Sequence, residues 1–307
     1  MKAVIYEKYG KPNVLKLTNI KKPIPKDNEV LVKVVATSVT AADVRLRASD
    51  FPALFWLPAR IIFGLFKPNK KILGHEFSGI IEEKGKNVTK FNIDDAVFGT
   101  TTMLKSGAYA EYLCVPETWK HGVMALKPKS ISFKHATCLP IGGMTALFLL
   151  EKATISKNKK ILIYGASGSV GSYAVQLAKH FETSATGVCS SKNMEMVKNL
   201  GADNLLDYNQ QDYATLDEKY DIVFDAVGKT TKSKAKKVLK KAGVFVSVKM
   251  MTKEKNEYLL KLADLTKNGK LIPFIDKVYP LENIVKAHKY VDTGRKRGNV
   301  IIEINKK

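Results

Sequence analysis

The sequence predicts an α/β protein in which a doubly wound parallel sheet is inserted into a β-rich domain built from both chain ends. Three observations carry this reading. The first third is made of short apolar runs separated by turn signals. The middle alternates apolar strands with helix-length segments, which implies parallel pairing through right-handed crossovers. The final stretch returns to strand patterning, so the β-rich unit spans residues 1–126 and is completed by 271–307, with the α/β unit at 127–270. A chain of 307 residues is long enough for two ordinary domains, and 45% hydrophobic with 26% charged residues is a globular composition.

In chain order, Ala3–Tyr6, Val30–Ala36, Phe77–Glu82 and Tyr109–Val115 read as strands. Turn signals at Lys22–Pro25, Gly85–Asn87 and Asn92–Asp95 punctuate them. Lys160–Tyr164 is a strand, Val170–Lys179 a helix, Ala185–Val188 a strand and Asn193–Leu200 a helix. Asp203–Asp207, Asp221–Ala226 and Gly243–Val248 complete the parallel series. The closing elements are the strand Phe274–Tyr279, the helix Leu281–Asp292 and the strand Asn299–Glu303.

Composition narrows the function classes. No run supplies the ~20 uninterrupted apolar residues that span a bilayer, so no integral membrane association is expected. The N-terminus lacks the apolar core of a secretory signal and reads as a first strand, which places the chain in the cytoplasm. Cys114, Cys138 and Cys189 are far apart, sit beside apolar residues and read as buried, reduced thiols. The formal charge of +22 attracts anions, nucleic acid and acidic membrane among them. The excess is nearly all lysine scattered along the chain, and arginine occurs only at Arg45, Arg47, Arg60, Arg295 and Arg297. A solvated lysine-rich surface therefore explains the charge better than a dedicated nucleic-acid site.

The sharpest motif is Gly165-Ala-Ser167-Gly168-Ser169-Val170-Gly171, directly after an apolar strand and before a helix. Glycines there let the chain reverse tightly and bring its backbone against a pyrophosphate, while the helix's first amides face the negative charge. An NAD enzyme carries Asp or Glu roughly twenty residues on, to bond the ribose 2′-hydroxyl. Here Ser190, Ser191 and Lys192 follow Cys189, a set that suits a 2′-phosphate and points to NADP(H). Tyr208, after the next strand, is a candidate to flank that phosphate.

The turn with its helix resembles the zinc-independent quinone oxidoreductases of the medium-chain dehydrogenase/reductase superfamily. So do Lys198-Asn-Leu-Gly-Ala-Asp203, Asp207-Tyr208, Asp221-Ile-Val-Phe-Asp-Ala-Val-Gly228 and Leu139-Pro-Ile-Gly-Gly-Met-Thr-Ala146. The resemblance implies a GroES-like substrate domain, a Rossmann cofactor domain and a homodimer. It also implies that Thr145, Val227, Gly228 and Asn299 border the nicotinamide. Alcohol dehydrogenases of that superfamily hold a catalytic zinc through Cys, His and Cys. This chain keeps Gly74-His75-Glu76 but has Thr40 and a stretch near Gly142 in the cysteine places, so no metal site is expected. Oxidising an alcohol needs a Lewis acid or its equivalent, whereas reducing a quinone or α,β-unsaturated carbonyl requires only orientation and a hydrogen bond to the acceptor oxygen. Thr40, Asp43 and His75 are the catalytic candidates. The family's pocket commonly has Asn where Thr40 stands and a tyrosine near Arg45, and both are missing. Two alternatives stay open: a zinc alcohol dehydrogenase with a half-site on Asp43, His75 and Glu76, and a basic RNA-binding relative of the quinone reductases. The apolar segment Phe51–Phe66 packs normally or in a subunit contact, caps the substrate with Phe55, Trp56 and Phe63, or dips into a membrane surface.

Overall fold

The computed structural model describes residues 1–305. In chain order the elements are β1 Lys2–Ile5, β2 Lys16–Asn19, β3 Glu29–Ser38, α1 Ala41–Ala48, α2 Ala53–Phe63, β4 Glu76–Lys84, β5 Ala96–Thr100, β6 Tyr112–Pro116, β7 Met124–Leu126 and α3 Phe133–Cys138. They continue as α4 Met144–Lys152, β8 Lys160–Tyr164, α5 Ser169–His180, β9 Ser184–Cys189, α6 Met194–Asn199, β10 Asn204–Asp207, β11 Tyr220–Asp225, α7 Lys232–Lys236, β12 Leu239–Ser247 and α8 Asn256–Lys267. β13 Ile275–Pro280, α9 Ile284–Asp292 and β14 Asn299–Glu303 close the chain. Two compact units result, Met1–Ile141 with Ile275–Lys307, and Gly142–Phe274.

The first unit is a GroES-like β domain. Its sheet runs β13-β14-β3-β4-β5-β7, with β6 on β3, and a separate antiparallel pair joins β1 to β2. β3 is ten residues of mostly β-branched and small side chains, and all but two of its residues are buried, as suits a strand with neighbours on both edges. Val30, Val32, Val34, Phe77, Ile81, Val97 and Leu113 pack one side of the sheet. Ala3, Val4, Leu73, Tyr109, Ile284, Ala287, Val300 and Ile302 form a second cluster that ties β1 and the C-terminal elements together. The unit extends past the expected boundary at residue 126 because α3 docks on its strands. Thr137 donates to the Ala36 carbonyl and Ser78 to the Phe133 carbonyl.

The second unit is a Rossmann sheet, all parallel, in the order β10-β9-β8-β11-β12. β9 lies on one side of β8 and β11 on the other, so the strand order reverses at β8. Ligands of such sheets bind beyond the carboxyl ends of the strands at that reversal. α5 follows β8 there, and its residues 171–178 are buried without interruption, which fixes its position firmly. The helical run Phe133–Lys152 has the length and composition to cross a bilayer, with a mean hydropathy of 1.2. With 67% of it buried inside the protein, it is a core helix.

Candidate active site

In the Rossmann unit the glycine turn forms as its spacing requires, but its three glycines are there for different reasons. Gly165 has φ +81, and a Cβ on it would meet Val227 Cγ1 at 2.5 Å. A Cβ on Gly171 would lie 2.2 Å from the Gly165 carbonyl oxygen, so this glycine lets α5 pack against the turn. Gly168, the N-cap of α5, has an ordinary φ of −77. A Cβ there would meet nothing nearer than the Gly165 oxygen at 3.5 Å. A methyl there would make only ordinary contacts, at the N-cap beside the α5 first-turn amides, which a helix leaves without intrahelical partners. Those features fit a dinucleotide pyrophosphate.

Two groups missed in the sequence organise the neighbouring loops. Asp225, fully buried at the end of β11, accepts from the amides of Val227 at 3.3 Å, Gly228 at 2.9 Å and Lys229 at 3.2 Å. Its second oxygen accepts from the Ser247 hydroxyl at 2.9 Å, so one carboxylate shapes the turn that carries Val227 and Gly228. Asn193 donates to the Ser167 hydroxyl at 3.1 Å and ties the glycine turn to the loop after β9. The pattern of one buried acid before a Val-Gly turn is the signal that would have revealed Asp225.

The loop after β9 departs from expectation in one respect. Asp207, in register with Cys189 on the adjacent strand, is buried, and hydrogen bonds from Asn209 and then from Ser191 hold its carboxyl below the usual range. Ser191 is thus committed to a carboxylate that linear spacing did not bring near it. Ser190 is half-buried, while Lys192 and Tyr208 are exposed. Thr145 sits half-buried in the first turn of α4.

In the GroES-like unit, Thr40 is the N-cap of α1 and Asp43 its third helical residue, joined in a capping box. Asp43 Oδ2 accepts from the Thr40 amide at 2.9 Å and the Thr40 hydroxyl at 2.5 Å. Its Oδ1 accepts from the Gly74 amide at 2.8 Å and faces His75 Nδ1 at 2.7 Å. Asp43 is fully buried, and burial alone would raise its carboxyl, yet His75 and Thr40 together hold it well below the usual range. An ionised carboxylate makes His75 Nδ1 the donor, which leaves Nε2 as the outward nitrogen.

Behind this group lies Glu76, whose carboxyl burial pushes up to about 8. It accepts from the Ile141 amide at 2.6 Å and pairs closely with the Ser38 hydroxyl. The Lys296 amine, pushed down by burial, lies in the same interior and bonds the Gly298 carbonyl at 2.6 Å. Asn299 is buried at the start of β14. A zinc site does not fit these donors. Asp43 has its acceptor positions filled by four donors, and the two Glu76 oxygens are taken by the Ser38 hydroxyl and the Ile141 amide. Among the described residues, no group of three or more His, Cys, Asp and Glu side chains is arranged to hold a metal.

Comparison with known proteins matches residues 26–127 to an alcohol dehydrogenase GroES-like domain and 169–274 to a zinc-binding dehydrogenase family. A 2-methylene-furan-3-one reductase of Solanum lycopersicum is 34% identical, over 98% of this chain and 79% of its own length. The chain belongs to the medium-chain dehydrogenase/reductase superfamily. Within it, a chloroplastic NADPH-dependent alkenal/one oxidoreductase of Arabidopsis thaliana is 31% identical over 98% of this chain and 79% of its own. The structure of a quinone oxidoreductase from Coxiella burnetii superposes with a TM-score of 0.89 at 29% identity, covering 99% of both chains. This superfamily member is an oxidoreductase with a nicotinamide cofactor and a small-molecule substrate, of the group named for quinones and enones. Its Rossmann and GroES-like units are the ones the sequence anticipates.

Proposed function

We propose that this enzyme uses NADPH to reduce a quinone or an α,β-unsaturated carbonyl without a bound metal, in the cytoplasm. The observation that carries the reading is the Thr40–Asp43–His75 cluster, a fully satisfied carboxylate that orients a single imidazole where a metal-dependent relative needs several ligands. The bound cofactor supplies a hydride. The protein's part is to hold the acceptor flat and meet the charge that develops on its oxygen. His75 does this through Nε2, donating a hydrogen bond or proton to the oxyanion when the ring is protonated. Asp43 is a positioning residue that fixes the ring, and Thr40 fixes Asp43. The names of the tomato and Arabidopsis relatives support an enone acceptor, and that of the Coxiella structure a quinone.

For the cofactor, the Gly168 space with the α5 amides takes the pyrophosphate, while Ser190, Lys192 and Tyr208 take the 2′-phosphate. Within the Rossmann unit, Thr145, Val227 and Gly228 border the nicotinamide. Of the three cysteines, Cys138 and Cys189 are buried as expected, whereas Cys114 is only half-buried. Steady-state assays with NADPH and NADH against a panel of small quinones and enones test the proposal. NADPH is expected to give a KM at least about tenfold below that of NADH, and Lys192→Ala to raise only the NADPH value. Equal kcat/KM with both coenzymes removes the NADPH assignment. Stoichiometric zinc in active enzyme, with activity lost on chelation, removes the metal-free one.

A further inference from the structure

α2 is an apolar helix that the fold holds at one end and leaves uncovered along most of its length. Its sequence, Ala-Leu-Phe-Trp-Leu-Pro-Ala-Arg-Ile-Ile-Phe, contains no acid and one base. Phe63 stacks on Phe51 at 5.9 Å, and both pack against the cluster around Tyr6 and Leu46. Tyr9 donates to the carbonyls of Phe63 at 3.0 Å and Gly64 at 2.8 Å, and Arg60 lies 4.0 Å above the Tyr9 ring. Beyond this anchor, Phe55, Trp56, Leu57, Ile61, Ile62, Leu65 and Phe66 are all exposed, Phe66 at 89% and Ile61 at 66%. Single exposed apolar residues are ordinary on a protein surface. Seven large ones within twelve positions form a contiguous patch of the kind that marks a binding surface.

The charge around the patch selects the occupant. Arg45, Lys67 and Lys71 flank α2 in the chain, and Lys8 and Lys11 flank the Tyr9 contact, all exposed, against the acids Glu7 and Asp50. The whole chain carries +22. A second copy would bring the same positive field to the same face and be repelled, whereas an anionic bilayer is attracted to it. An eleven-residue helix is ~16 Å long, about half of a bilayer's hydrocarbon core, so it has the length to lie in the interface and not to cross it. Trp56, an exposed aromatic ring with a polar N–H, suits the headgroup level.

We propose that α2 with the Leu65–Phe66 corner is a membrane-docking surface that inserts into the headgroup–acyl boundary of an anionic bilayer, steered there by the flanking bases. The inference stands apart from the cofactor assignment and from the Thr40–Asp43–His75 cluster, since none of the residues invoked belongs to either. The test is vesicle co-sedimentation of the full chain with phosphatidylcholine, and with phosphatidylcholine containing about 30% phosphatidylglycerol, at low and at about 0.5 M salt. Quenching of tryptophan fluorescence by lipids brominated on their acyl chains is read in parallel, using a Trp119→Phe background so that Trp56 reports alone. Binding is expected to need the anionic lipid, to weaken with salt, and to quench Trp56. A Leu57→Ser, Ile61→Ser, Ile62→Ser variant is expected to bind at least about tenfold more weakly, at unchanged NADPH affinity and unchanged circular dichroism. Four results each overturn the proposal: no binding to anionic vesicles at low salt, full binding by the serine variant, binding without quenching, or a lipid-free dimer in sedimentation velocity that the serine variant abolishes. The last would assign the patch to a second copy.

Discussion

Gly168→Ala separates a glycine kept for a ligand from one kept for the fold. With φ −77 and its nearest neighbour to a new methyl at 3.5 Å, position 168 accepts alanine without moving the backbone. As a helix N-cap, alanine in place of glycine changes stability by no more than about 1 kcal/mol. The methyl does, however, fill the space in front of the α5 amides. Pushing a diphosphate out of reach of two charge-assisted hydrogen bonds costs about 3 kcal/mol, or roughly a hundredfold in NADPH affinity. Gly171→Ala is the matched control, because its methyl would lie 2.2 Å from the Gly165 carbonyl oxygen. Overpacking against backbone costs about 3 kcal/mol, which lowers the melting temperature by roughly 6–10 °C. Isothermal titration with NADPH and thermal unfolding of both variants read the two quantities separately. A folded Gly168→Ala enzyme that binds NADPH within about threefold of the parent refutes the pyrophosphate assignment and the cofactor geometry built on it.

Other perturbations follow from the GroES-like unit. His75→Gln is expected to keep the fold and lower kcat about a hundredfold, with KM for the acceptor little changed, measured by steady-state kinetics. Asp43→Asn removes the charge that four donors converge on, so it is expected to cost about 3 kcal/mol of stability in urea titrations as well as activity. The Glu76 carboxyl stands at about 8 in the folded protein, above its ordinary 4.5, so between those values only the unfolded chain ionises and stability falls as pH rises. Glu76→Gln removes that slope, and its stability relative to the parent is expected to grow by up to about 1.4 kcal/mol per pH unit across this window. A difference that stays constant with pH would mean Glu76 is ionised in the fold. His288, held between Arg47 and Tyr109 in the interior, is pushed down to about 3 by burial. Between there and 6.5 only the unfolded chain takes up the proton, so stability is expected to fall as pH drops below about 6.5, by about 1 kcal/mol near pH 5.5. Proton NMR of the His288 ring showing titration near neutrality in the folded protein would contradict this.

The chain by itself fixed the parallel β/α series, the glycine turn and the strands that close the β-rich unit, since period-two apolar runs and a glycine triplet between strand and helix are local signals. It also brought Thr40, Asp43, His75 and the loop after Cys189 forward as site candidates. Tertiary structure decided the rest. α3 joins the first unit because Thr137 and Ser78 find partners on β3 and on α3 itself, contacts between segments far apart in sequence. Asp207 reaches Ser191 only because parallel β9 and β10 end in register, and the second oxygen of Asp225 meets Ser247 only once β12 packs beside β11. The outward face of α2 was equally illegible, for an apolar helix reads the same whether it is covered or bare. Local patterns report which residues share a face, and what that face meets depends on packing between parts of the chain that sequence separation keeps apart.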